Sequence, residues 1–341
     1  MNDAQLMRAS VAPGWVERLG VAHVLLALLL LVYPAAASDF FLTQIGGYTL
    51  ILGTLALSLM LLAGYGGMVS LAQITVAGVA GYSVAIFGDN ATHVMGFGWP
   101  WWIAVPYAVL LAAIASALIG WISARTDGVY TIMITLAIAM AMFYFTQQNY
   151  ALFNGHSGYS GLQMPQFWGV VWRDPLPFYY VCLGVAVISY AAVLYARDSS
   201  FGLSLQAIRD NPRRMRAIGY DVTLHKVFAW FLAGVIAGLA GVLLVWFNGR
   251  ISPGTIGVNA AIDVLIVAVL GGMRHPIGAF IGALVVVLLK VFAIDLVGAD
   301  RFNTLIGLVF LAIVFASPDG LLGLWIRFRS KLDKRSIRPP S

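Results

Sequence analysis

Long apolar runs separated by short polar connections organise this chain. Ten stretches come close to the roughly 20 mostly apolar residues that a membrane-spanning helix needs. They fall at 19–36, 48–64, 69–87, 99–122, 128–146, 177–196, 226–247, 260–273, 276–293 and 303–317. The eighth is short and the turn at 64–70 is tight, so eight or nine spans also fit the pattern. The expected fold is all-α: a polytopic transmembrane helical bundle over 19–325, preceded by a short segment at 1–18 and followed by a basic tail at 326–341.

Composition agrees with lipid as the solvent. The chain is 61% hydrophobic and 10% charged, against about a quarter charged in ordinary soluble domains. The net charge of +6 matters through its placement. With the N-terminus on the inner side, sixteen of the twenty Lys and Arg residues fall in inner loops; Arg173, Arg250 and Arg301 fall outside, and Lys290 stays unassigned near a helix end. That asymmetry predicts both termini in the cytoplasm. The run Val24–Val32 before Ala35-Ala36-Ala37 imitates a secretory leader with its cleavage site, although an apolar stretch starting at Leu19 is long enough to stay as an anchor. Cys182 is the only cysteine and lies in an apolar run, so neither an internal disulfide nor a thiolate metal cage is expected. The five histidines are scattered, which gives a metal site no support.

The most informative polar stretch is the inner loop 197–225. Ser200 is placed to cap a short helix over 201–209. Asn211 then caps a second helix with Pro212 at its first position, where a missing N–H costs nothing. Gly219 suits the left-handed residue that ends it. Arg213 and Arg214 fall in the first turn of that second helix, where the dipole disfavours cations; lipid phosphate or an acidic partner would offset this. The plainer reading is a loop made basic by orientation alone.

The order Ser199-x-Phe-Gly202, Ala207-Ile-Arg-Asp-Asn211 and Arg216-Ala-Ile-Gly219 resembles the corresponding loop of LivM-type permeases, the pore subunits of branched-chain amino acid ABC importers. The resemblance extends over about 48–325. It takes in Gly64-Tyr-Gly-Gly-Met-Val-Ser-Leu-Ala-Gln73, Gly78-Val-Ala-Gly-Tyr82, Gly128-Val-Tyr-Thr-Ile-Met-Ile-Thr-Leu-Ala137, Gly271-Gly-Met-Arg-His-Pro-Ile-Gly-Ala-Phe-Ile-Gly-Ala283 and Ser317-Pro-Asp-Gly-Leu-Leu-Gly323. Each motif is weak alone, and their shared order and spacing carry the likeness. It implies that Ala207, Ile208, Arg209, Asp210, Asn211, Arg213, Ala217 and Gly219 couple the membrane helices to an ATPase. It also implies a second related permease subunit, two ATPase subunits that hold the ATP and magnesium, and a soluble binding protein outside. The chain departs from the family where Ser160 replaces an aspartate in Asn154-Gly-His-Ser-Gly-Tyr-Ser-Gly-Leu162, and at Arg274-His275. His156 there reads as a solvated loop residue.

Several polar residues inside spans are candidates for a solute path, because lipid cannot satisfy them. Ser70 and Gln73 share a face if the third span is helical there, with Thr75 on a neighbouring stripe and Gly64, Gly67, Gly78 and Gly81 around them. One reading is a discontinuous helix whose free amides and Gln73 meet a zwitterion. The other is packing glue between helices. Thr131 and Thr135 share a face of the fifth span, and each hydroxyl also has its own helix to bond. Asp263, behind Asn259, is either a path or gate residue or an acid at the outer interface. Gly271, Gly272, Gly278 and Gly282 are expected at helix breaks or contacts.

No phosphate-binding Gly-x-x-x-x-Gly-Lys-Ser/Thr loop occurs, and the longest inner loop is too short for an ATP-binding fold, so this chain is expected to bind no cofactor and to leave hydrolysis to a partner. An ion-coupled transporter is the alternative class, resting on Asp263 alone. An intramembrane enzyme lacks any Ser/His, paired-Asp or His-Glu-x-x-His arrangement.

Overall fold

A computed structural model describes residues 29–35, 37–90, 96–162, 164–165, 172–273 and 275–297, with scattered positions between 307 and 323. The expectations for 1–18, most of the first span, the tenth span, Arg274 and the tail lie outside the described residues. The described part is a helical bundle. Its main helices are α1 (Phe41–Tyr65), α2 (Gln73–Phe87), α3 (Trp101–Ser123), α4 (Val129–Gln148) and α5 (Pro175–Asp198). Two short helices follow, α6 (Ser200–Asp210) and α7 (Pro212–Ala217), and then α8 (Val222–Asn248), α9 (Val258–Gly271) and α10 (Pro276–Val297). Among the described residues six helical stretches are long and apolar enough to cross a membrane, and α2 and α10 are shorter apolar helices.

A helix that is apolar on every side belongs in the interior. In α1, 89% of the most apolar window is buried, against 67% for α8 and 22% for α4, so α1 and α8 form the centre and α4 the periphery. The second expected span started at Tyr48. The helix instead begins at Phe41 through a π-helical stretch, Phe41–Gly47. A side chain at Gly46 would collide with the Tyr179 ring of α5, so this glycine serves close packing.

Small residues let the central backbones meet, as membrane helices require in the absence of a hydrophobic drive between them. A Cβ on Gly241 of α8 would strike the Ala77 backbone of α2, and one on Gly234 would strike Ser116 of α3. Ser116 Oγ donates to the Trp230 carbonyl at 2.6 Å across that contact. In the α9–α10 hairpin Gly271, Gly278 and Gly282 face each other backbone to backbone. Gly272, at φ +103°, makes the turn between these helices. Cys182 is buried and free.

At one end of the bundle α6 and α7 bridge α5 and α8. At the other, β1 (Tyr159–Ser160) pairs antiparallel with β2 (Arg250–Ile251), tying the connection after α4 to the one after α8. Tyr159, Ile251, Ile256, Phe153 and Tyr82 make a second small core there.

Candidate functional site

The junction between α1 and α2 is the most unusual backbone in the bundle. α1 closes with a π-helical turn, Leu61–Tyr65. The Met68 N–H returns to the Leu62 carbonyl at 3.0 Å, and Gly67 takes φ +67°, a conformation that costs any residue with a Cβ. Residues 67–72 then run without helix until Gln73 opens α2. α2 has 15 residues, about 22 Å of helix, so this extended run makes up part of the crossing.

Most of the run is buried: Met68, Ser70, Leu71 and Ala72, with Gln73 after them, lie away from solvent, while Gly67 is exposed and Val69 half-buried. Irregular backbone in a membrane protein survives where protein groups satisfy it. Here the Leu71 N–H donates to Thr135 Oγ1 at 3.2 Å, the Ala72 N–H donates to Ser70 Oγ at 3.1 Å, and Ser58 Oγ donates to Gln73 Oε1 at 3.1 Å. Ser70 therefore lies in the extended approach, and the shared helix face expected for Ser70 and Gln73 does not form. Gln73 Nε2 and Thr75 Oγ1 are buried without a partner among the described residues. No side chain caps the start of α2. Its first amides and the positive end of its dipole, together with Gln73 Nε2, are a donor set suited to a carboxylate.

α4 faces this junction with an inverted polarity. Its buried stripe is Thr131, Thr135, Ala139 and Thr146, while Val129, Tyr130, Met133, Tyr144 and Phe145 point outward. The expected face shared by Thr131 and Thr135 is present, and Thr146, missed in the sequence, continues it. The two expected threonines differ in role. Thr135 holds the junction, whereas Thr131 donates to the Thr126 carbonyl at 3.1 Å at the start of its own helix.

The two-helix loop forms as expected, with one shift. Ser199, one residue before Ser200, caps α6 by accepting from the Gly202 N–H at 3.2 Å. Asn211 accepts from the Arg214 N–H at 3.0 Å with Pro212 at the first helical position, and Gly219 takes φ +94°. Ile208, Met215 and Val222 bury together with Ala207 against them, so Ala207 and Ile208 hold the loop in one piece. Asp210, Asn211, Arg213, Ala217 and Gly219 are exposed. Ile218 and Tyr220, which the sequence reading did not single out, add an apolar patch at 63% and 41% exposure. Arg209 turns back to the bundle, and Nη1 donates to the Gly64 carbonyl at 2.6 Å.

Two ion pairs stitch distant segments. Asp263 of α9 meets Lys290 of α10 at 2.5 Å, which gives the unassigned lysine its partner and compensates the acid within the bundle. Lys226, buried at the start of α8, reaches Asp127 before α4 at 2.7 Å. Gly78 and Gly81 of α2 receive Ile256 and Ile251 from the far end. The apolar gap left there, lined by Ile74, Gly78, Gly241, Ile251 and Ile256, is no larger than a water molecule. Tyr159, beside it, is fully buried and donates to the Leu152 carbonyl at 2.7 Å; burial pushes its phenol above the ordinary value, so it stays neutral. His156 is exposed, with Nδ1 3.0 Å from Gln147 Nε2. Among the described residues no cluster of metal-ligating side chains occurs.

Residues 41–315 match the family described as branched-chain amino acid transport system, permease component. The high-affinity branched-chain amino acid transport system permease protein LivM of Salmonella typhimurium is 25% identical over 326 residues, covering 87% of this chain and 74% of the relative. LivM of Escherichia coli is 25% identical over 327 residues with the same coverage. The probable branched-chain amino acid transport permease protein LivH of Methanocaldococcus jannaschii is 27% identical over 181 residues, 52% of this chain and 51% of the relative. No solved structure matches the chain.

Proposed function

The chain belongs to the branched-chain amino acid transport system permease family, and on that premise we propose that it lines the path for branched-chain amino acids or similar small amino-acid and amide solutes in an ATP-driven importer. It is a multi-pass protein of the inner membrane and a transport permease subunit rather than an enzyme. The observation that carries the substrate reading is the α1–α2 junction: a buried, uncapped helix start with Gln73 Nε2 beside it supplies donors for a carboxylate. The apolar residues that follow Gln73 on α2, Ile74, Val76 and Ala77, are of the kind that sorts an aliphatic side chain by packing rather than by charge, once helix movement opens space beside them.

The remaining parts follow from the same reading. Eight to ten spans cross the bilayer with both termini cytoplasmic, which puts α6 and α7 inside and the β1–β2 pairing outside. The transmembrane domain spans 19–325, its coupling loop lies at 197–225, and short segments at 1–18 and 326–341 stay in the cytoplasm. Likeness to both LivM and LivH proteins supports a related second permease beside this one. Two ATPase subunits bind ATP and magnesium and meet the exposed face of α6 and α7. A soluble binding protein docks outside. ATP-driven closure of the ATPases moves the loop and opens the path to alternate sides in turn. The ion-coupled alternative loses its main support, because Asp263 is engaged by Lys290.

The test is uptake of labelled leucine into proteoliposomes that hold this chain with its native partners. Uptake is expected only with ATP and the binding protein present. Accumulation by this chain alone, driven by an imposed proton or sodium gradient, would overturn the assignment.

A further inference from the structure

We propose that Arg209 is the residue that transmits motion of the α6–α7 loop to the broken junction before α2. This rests on the importer reading above and assigns Arg209 an internal role in place of an ATPase contact.

The geometry is specific. Gly64 lies at the C-terminal end of α1, where carbonyls have no helical partner and the dipole is negative. The Arg209 guanidinium answers both, with Nη1 on the Gly64 carbonyl at 2.6 Å. Its Nε and Nη2 sit 3.0 Å from Asp210 Oδ1, so all three guanidinium nitrogens are engaged and the fork is fixed in direction. The aliphatic stem lies over Gly67: a Cβ built there falls 2.6 Å from Arg209 Cγ, which leaves this position to a residue without one. One turn earlier on α6, Leu205 is buried against Gly66. Arg209 and Leu205 thus grip both sides of the left-handed turn from a helix more than a hundred residues away.

The other end of the linkage is equally defined. Ile208, Met215 and Val222 join α6 and α7 into one body, so a push on their exposed face moves Arg209 with it. Beyond Gly67 the chain reaches Gln73 through five non-helical residues, whose Leu71 and Ala72 N–H groups donate to Thr135 and Ser70. That run has no helical hydrogen-bond ladder of its own, so it can change shape without breaking a helix. Displacement of α6 therefore rotates the turn and shifts the donor set at the start of α2, coupling the loop to the solute site through a two-ended element rather than through diffuse flexibility.

The experiment uses the whole complex of this chain with its permease, ATPase and binding-protein partners in proteoliposomes. Arg209→Met keeps the stem over Gly67 and removes the donor. Expected are native co-purification of the ATPase, basal ATP hydrolysis within about twofold of native, and leucine uptake per ATP lowered about tenfold or more, with partial recovery in Arg209→Lys. Native uptake per ATP in Arg209→Met would overturn the proposal. Release of the ATPase by the same variant would also overturn it, making Arg209 a docking contact while the importer reading stands. The unmodified complex gives a second measurement that needs no variant. Hydrogen exchange at 66–72 and at 200–210 should change together when a non-hydrolysable ATP analogue binds, and a change confined to 200–210 refutes the linkage. Uptake by the native complex that proves independent of ATP removes the importer reading and this proposal with it.

Discussion

Replacing Gln73 with leucine separates the two readings of the junction. Gln73 is 1% exposed, and its amide has one bonded end and one unbonded end. A buried donor without a partner costs ~1–3 kcal/mol. The bond that leucine would forfeit comes from Ser58, whose hydroxyl also reaches the Leu55 carbonyl at 2.6 Å, the shorter of its two contacts. Ser58 therefore keeps an acceptor in the variant, and the lost bond is worth ~0.6 kcal/mol on the scale of interhelical bonds in membranes. Leucine is apolar and close in size, so the packing change is small. The balance is a bundle stabilised by ~1 kcal/mol, give or take the same again. Transport should move the other way, with uptake reduced at least tenfold, because the donor proposed to meet the solute has gone. The assay pairs thermal unfolding in lipid nanodiscs with ATP-dependent uptake in proteoliposomes. A melting temperature several degrees lower, together with native uptake, would show that Gln73 is packing glue and that the solute binds elsewhere.

Three further outcomes are expected. Asp127→Asn should destabilise by ~2–3 kcal/mol because it strands the buried Lys226 cation, whereas Lys226→Met should cost under ~1 kcal/mol because Asp127 is 75% exposed and stays hydrated; thermal unfolding in nanodiscs orders the two. Asp263→Asn and Lys290→Met should each lower the melting temperature more than the double variant does, since either alone leaves one charge in the bundle without its partner. Gly271→Val should cost ~3 kcal/mol or more, because its side chain would meet the Gly278 backbone, and the yield of monodisperse protein should collapse accordingly.

Much of this was legible in the order of residues, and the exceptions have a common cause. Hydropathy located α3, α4, α5 and α8 within a few residues, because lipid imposes length and apolarity on each span separately. The loop caps were readable because a cap is a local bond: Asn211 and Gly219 fell where expected, and Ser199 replaced its neighbour Ser200 by one position. The start of α1 at Phe41 was missed, since Gly46 packs against the Tyr179 ring of a distant helix, a contact that the local order of residues does not show. The pairs that define the site were not legible. Arg209 and Gly64 lie 145 residues apart, Lys226 and Asp127 lie 99 apart, and Asp263 and Lys290 lie on separate helices. Burial of Thr146 was readable in retrospect, because it sits eleven residues after Thr135, three turns along the same face.

The small β1–β2 pairing has a consequence for how the segments it joins can move. Two backbone rungs at ~1 kcal/mol each join the connection after α4 to the one after α8, and Tyr159 and Ile251 are withdrawn from water beside them. A displacement of one of these connections is then passed to the other, so α4 and α8 are expected to move together at this end rather than singly.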